Sequence, residues 1–114
     1  MGLSRDDILN ANDLETIEVD VPEWGGSVNV LPMTGAVREQ YEKLCEANKS
    51  GGESGFRAMF ISLSIVDDKG SLLFDKEDIK LLGEKSFKAL NRVFEVATEI
   101  NGMSPDSVEE AEKN

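Results

Sequence analysis

The stretch Glu18-Val19-Asp20-Val21-Pro22-Glu23-Trp24-Gly25-Gly26-Ser27-Val28-Asn29-Val30 decides the fold. Val19 and Val21 alternate with acidic residues, so one face of a strand is apolar and the other wet. Pro22 cannot donate a ladder hydrogen bond and ends the strand. Gly25-Gly26 supplies the positive-φ positions a hairpin turn wants, and Val28 and Val30 resume the alternation. The expected hairpin covers about Thr16 to Leu31. Trp24 is the only tryptophan. At the turn it can fold back over the hairpin or face a partner.

Outward from the hairpin the pattern turns helical. Ser4 with Asp7 caps a short first helix carrying Ile8 and Leu9, broken over Asn10 to Asp13. Thr34 caps a second helix whose apolar stripe is Val37, Tyr41, Leu44 and Cys45. Asn48-Lys49-Ser50-Gly51-Gly52 reads as a flexible loop within one domain, since neither side can bury a core alone. Phe56, Met59, Phe60 and Leu63 form a second stripe, widened by Ile61, Ile65 and Val66, and this predicts a central helix. Such a stripe is core by its spacing, with an adaptable binding surface as the other reading. Asp67-Asp68-Lys69-Gly70 is a turn. Asp75 and Asp78 start a short helix through Ile79, Leu81 and Leu82 that Gly83 stops. Phe87, Leu90, Val93, Phe94, Ala97 and Ile100 mark the last long helix, ended by Asn101-Gly102. Ser104-Pro105 opens a further short acidic helix. The expected fold class is α+β and mainly helical, an N-terminal β-hairpin followed by about four helices. A single domain over 1–102 precedes an acidic C-terminal tail over 103–114.

Composition narrows the function. The formal net charge of −11 over 114 residues argues against a nucleic-acid partner, which needs cationic neutralisation of phosphate. There is no histidine, which removes the commonest general base and metal ligand. One cysteine excludes an internal disulfide and suits a reducing cytoplasm. Its place on the second helix's stripe makes Cys45 a core residue rather than a reactive thiol. The glycine-rich turns lack phosphate-loop and dinucleotide spacing. Asp67 to Ser71 lacks the alternating oxygen ligands and closing glutamate of a calcium loop. No signal peptide or apolar run of membrane length is read in the chain. The expectation is a binding protein with no catalytic residues, no cofactor and no metal, and with no nucleic-acid or membrane partner.

The acidic valine strand, the Pro22-Glu23-Trp24-Gly25-Gly26 turn and the Leu31-Pro32-Met33-Thr34-Gly35 helix entry resemble the tail assembly chaperones of long-tailed bacteriophages and prophages. Ile65 to Gly70 with Leu73-Phe74 resembles that family's central turn. Leu82 to Ser86 and Leu90 to Ala97 resemble its last long helix. Asn101 to Ser104 and Glu109 to Asn114 resemble its C-terminus. The resemblance implies a chaperone in the host bacterial cytoplasm, absent from the finished virion. It would bind the tape measure protein, keep it soluble and help recruit tail tube protein around it. It also implies a homo-oligomer and, in many members, a longer form made by frameshifting near the end of the short one. The family has no catalytic residues to carry over. Trp24 and exposed members of the Met59/Phe60 stripe are the candidate contacts. Two other readings are an acidic phage inhibitor of a host protein, built as a nucleic-acid mimic, and a minor structural subunit of head or tail. The scattered placement of the carboxylates disfavours the mimic.

Overall fold

In the computed structural model, which describes residues 2–49 and 55–103, local capping chemistry sets where each helix begins. Helix α1, Arg5–Leu9, starts with a reciprocal pair. The Asp7 N–H donates to Ser4 Oγ at 3.1 Å, and the Ser4 N–H donates to Asp7 Oδ2 at 3.0 Å. Helix α2, Gly35–Lys49, has Thr34 Oγ1 accepting from the Val37 N–H at 3.1 Å. Asp75 and Asp78 make a second reciprocal pair. It opens a single 3-10 turn, Lys76–Asp78, that runs into α4, Ile79–Gly83. Ser86 caps α5, Phe87–Ile100, through the Ala89 N–H at 3.3 Å.

Strands β1, Ile17–Val21, and β2, Gly26–Val30, form the expected antiparallel hairpin, with Ile17 opposite Val30 and Val21 opposite Gly26. Val19, Val21 and Val30 are buried, while Glu18 and Asp20 face water. The connection differs in detail from expectation. Pro22–Trp24 is a 3-10 turn, and Gly25 alone takes the left-handed backbone, at φ 79°. Gly26 opens β2 and pairs with Val21. The proline-started turn already reverses most of the chain, so a single positive-φ residue completes the connection.

Ile65 and Val66 depart from expectation more sharply. They do not widen a helix but form β3, Ile65–Val66, which pairs antiparallel with β2 and gives the sheet order β1-β2-β3. Helix α3 covers only Phe56–Ser62. Its last carbonyls are taken by side chains: Ser62 Oγ donates to the Met59 carbonyl at 2.7 Å and Ser64 Oγ to that of Phe60 at 3.1 Å. Local serine bonds of this kind compete with helix continuation, and the freed backbone then joins the sheet. The turn after β3 is held by Asp67 Oδ1, which accepts from Lys69 and Ser71, with Gly70 at φ 84°. Gly83 is the last residue of α4 rather than the residue beyond it.

The core lies between the sheet, α3 and α5. Met59, Phe60 and Ile61 of α3 meet Leu90, Val93, Phe94 and Ala97 of α5. Three aromatic rings link α2, α3 and α5 edge to face. The Tyr41 and Phe60 centroids are 5.1 Å apart at 83°, and those of Phe60 and Phe94 are 5.5 Å apart at 78°. Cys45 is half-buried against this core, with Val37 and Leu44 on the same stripe.

The end of α5 is tied back to the chain before α2. Asn101 Oδ1 accepts from the Met33 N–H at 2.8 Å, and Asn101 Nδ2 donates to the Ala97 carbonyl at 2.7 Å. Gly102 takes φ 72°. Met103 then donates its N–H to the Thr98 carbonyl at 2.8 Å, and its sulfur accepts from Arg38 Nη1 at 3.2 Å. The packed unit therefore runs past the expected boundary at 102 to include Met103. The Ser50-Gly51-Gly52 loop, the Ser104-Pro105 cap and the acidic tail lie outside the described residues.

Candidate functional site

Trp24 ends the 3-10 turn of the hairpin and is half-buried, with one side packed on the core. Its other side lines an open cavity of about 450 Å³ shared with Phe74, Asp78, Leu81, Leu82 and Lys85. Trp24 thus has the fold-back packing that the sequence allows, without being fully covered. It packs within the chain and still forms part of a surface groove. Leu82 is buried under the groove floor, whereas its neighbour Leu81 is 62% exposed. The groove walls are mostly apolar, and Asp78 and Lys85 supply one charge of each sign. Phe74 is shared with a second cavity of about 380 Å³, which continues toward Gln40 and Leu44 of α2.

The other two candidate contacts are corrected by the structure. Met59 and Phe60 are 2% and 0% exposed. They point from α3 into the ring cluster and the face of α5, so neither presents a surface to a partner. Of that stripe, Phe56 is only partly buried, at the start of α3.

An ion pair fixes the turn that carries Trp24. The Arg92 guanidinium of α5 grips the Glu23 carboxylate with two parallel bonds, at 2.5 and 3.0 Å. The donated hydrogen bonds from Arg92 hold the Glu23 carboxyl down at about 2, and the same contact raises Arg92. The two residues are 69 positions apart in sequence, so the pair anchors the hairpin tip to the last helix.

A second exposed feature lies at the start of α5. Arg57 sits over the rings of Phe87 and Phe94, each at 5.3 Å, and over Phe56 at 5.7 Å. Phe87, the first of the residues whose spacing marks the last long helix, is 64% exposed. It occupies the first position of the helix, two turns before Phe94 and on the same face, and shares the Arg57 guanidinium with it.

Sequence reasoning missed Phe74, Leu81 and Lys85 as groove walls, and it missed the Glu23–Arg92 pair. One signal for Leu81 was present. Adjacent residues of a helix point about 100° apart, so a short helix packed on one side, unlike the enclosed α3, turns one of Leu81 and Leu82 toward water. Among the described residues, no group of three or more His, Cys, Asp or Glu side chains is placed to hold a metal ion, and no helix is long and apolar enough to cross a membrane. No protein-family model, curated protein or solved structure matches this chain.

Proposed function

We propose that this chain is a non-catalytic tail assembly chaperone of a long-tailed phage or prophage, acting in the host bacterial cytoplasm. It binds apolar helices of the tape measure protein, keeps that protein soluble and helps recruit tail tube subunits. The observation that carries the reading is the open apolar groove between Trp24 and Leu81 on a chain of net charge −11. The motif resemblance along the chain gives the groove a client.

The physics suits a holding role. Burying one leucine-sized side chain contributes about 1.5–3 kcal/mol, so a single groove binds a client weakly. Many copies along one long client bind it by avidity, and each can still leave when tube subunits arrive. The acidic charge of every copy then repels neighbouring complexes and opposes aggregation. Aromatic and aliphatic walls with two rim charges favour an apolar residue on an amphipathic helix over a polar small molecule.

The test is co-expression of the full chain with the tape measure protein of the same phage genome. The chaperone reading expects the tape measure protein to move into the soluble fraction and to be retained on the tagged chain. Leu81→Asp changes an exposed side chain, so it should abolish retention without lowering the melting temperature. Tryptophan emission of the wild-type chain should shift blue as client covers Trp24. A tape measure protein equally insoluble with and without the chain would overturn the proposal.

A further inference from the structure

The sheet has one closed edge and one open edge. At the β3 edge, Val66 bridges to Leu72 and the Leu73 N–H donates to the Ile65 carbonyl at 3.1 Å, so the returning chain covers it. The other edge is β1, and the register fixes what it offers. The Leu31 N–H donates to the Ser64 carbonyl at 2.8 Å, so Leu31 and Asn29 turn their backbone groups toward β3. Val28 and Val30 then turn theirs toward β1, where they face Val19 and Ile17. Along β1 the same alternation leaves the N–H and carbonyl groups of Glu18 and Asp20 pointing away from the sheet. Among the described residues no backbone group bonds them. Proteins blunt such an edge with a proline, a bulge, a very short strand or a cover. Strand β1 pairs over five residues without a bulge, and its proline comes only after its end. Charge alone protects it. The Glu18 and Asp20 side chains stand on the wet face, where Glu18 accepts from Ser27 Oγ at 2.8 Å. Among the described residues no Lys or Arg forms an ion pair with either carboxylate. Ile17, on the opposite face with Val19 and Val21, is still 38% exposed.

We propose that this edge takes an extended segment of a partner protein as an added strand, antiparallel to β1, with Lys or Arg at alternate positions and aliphatic residues between them. In that pairing the residue directly opposite Glu18 or Asp20 points its backbone groups at β1 and its side chain at the wet face. The basic residues therefore make both the ladder bonds and the ion pairs, and the aliphatic residues fall beside Ile17. The same charges turn other occupants away. A second copy's β1 laid antiparallel on this edge in full register sets Glu18 against Asp20, and like charges directly opposite each other are destabilising. The acidic end of the chain, Glu109-Glu110-Ala111-Glu112, meets the same repulsion. The edge is a different surface from the Trp24 groove. The proposal does not rest on the chaperone reading, because it needs strand addition rather than capture of a helix.

Amide exchange and titration followed by NMR on the isotope-labelled full chain test the idea, with a short capped peptide alternating lysine and valine as the probe. Binding should slow exchange of the Glu18 and Asp20 N–H groups and leave that of Val19, already turned to β2, unchanged. Two backbone N-methylated versions of the peptide separate the ladder from the charge, since both keep every lysine side chain. Methylation at the lysine positions removes the donors that face β1 and should weaken binding about tenfold or more. Methylation at the valine positions, whose N–H groups point away from β1, should leave binding close to that of the parent peptide. The proposal is overturned if the parent peptide does not bind, or if both methylated versions bind as the parent does, which would be charge attraction alone. It is equally overturned if the valine-methylated version is the weaker one. Slow Glu18 and Asp20 exchange in the dilute free chain would assign the edge to the chain's own segment, and slowing as the chain alone is concentrated would assign it to a second copy; either result overturns the proposal. None of these measurements involves the groove or a client, so they can fail while the chaperone reading stands, and a lost client interaction leaves them untouched.

Discussion

Phe60→Ala tests the architecture of the core against a matched control. Phe60 is 0% exposed and meets Tyr41 at 5.1 Å and Phe94 at 5.5 Å, both edge to face. Removing the ring exposes no new surface that water can reach, so it leaves a cavity bounded by α2, α3 and α5. Burial loss plus the cavity costs about 3–5 kcal/mol for a buried phenylalanine. The two aromatic contacts, worth roughly 0.5–1.5 kcal/mol apiece, push the value toward the upper end. A domain of this size has a total stability of about 5–15 kcal/mol. At about 4 °C per kcal/mol, the melting temperature should fall by roughly 12–20 °C. Thermal unfolding followed by far-UV circular dichroism reads this directly. Phe87→Ala deletes the same side chain from a site 64% exposed, where the cation–π contact with Arg57 and a minor share of burial are lost. That variant should lose at most about 1 kcal/mol. A Phe60→Ala melting temperature within about 4 °C of wild type, or equal losses for the two variants, would refute the packing of α3 against α5.

Two further predictions concern the ties between distant segments. The Glu23 carboxyl titrates at about 2 in the folded chain against an ordinary 4.5. Its ionised form is therefore favoured by folding, and the resulting stability is present above about 4.5 and lost as pH falls toward 2. Urea unfolding of wild type and Glu23→Gln should differ near neutral pH and converge as pH drops through that window, whereas a gap that stays constant to pH 2 would show the pair to be idle. Asn101→Ala leaves the Met33 N–H without its acceptor and the Ala97 carbonyl without its side-chain donor. It should destabilise by about 1–3 kcal/mol and speed amide exchange at Met33, and an unchanged Met33 exchange rate would show that this tie does not hold the α2 entry.

The sequence by itself determined the elements whose signals are local. Alternating valines set the hairpin, and its register followed because a one-residue slip would turn Val19 and Val21 to water. Ser4, Thr34 and Asp75 marked helix starts because a cap is a bond between residues two or three apart. Gly102 marked the end of α5 because its left-handed backbone is one that residues with a side chain rarely adopt.

What only the tertiary structure decided involves partners far apart in the chain. Ile65-Val66 is too short to show a period, and it becomes a strand because β2 offers it an edge. Met59 and Phe60 carry the same side chains whether they line a groove or fill a core, and only the arrival of α2 and α5 on either side buries them. The Trp24 groove draws its walls from the hairpin tip, the loop before α4, α4 itself and the residues just beyond it. Glu23 meets Arg92 across 69 residues. Periodicity and capping report what a residue does with its near neighbours. A groove or a long-range ion pair exists only after the apolar stripes have chosen which elements pack together, and that choice belongs to the whole chain.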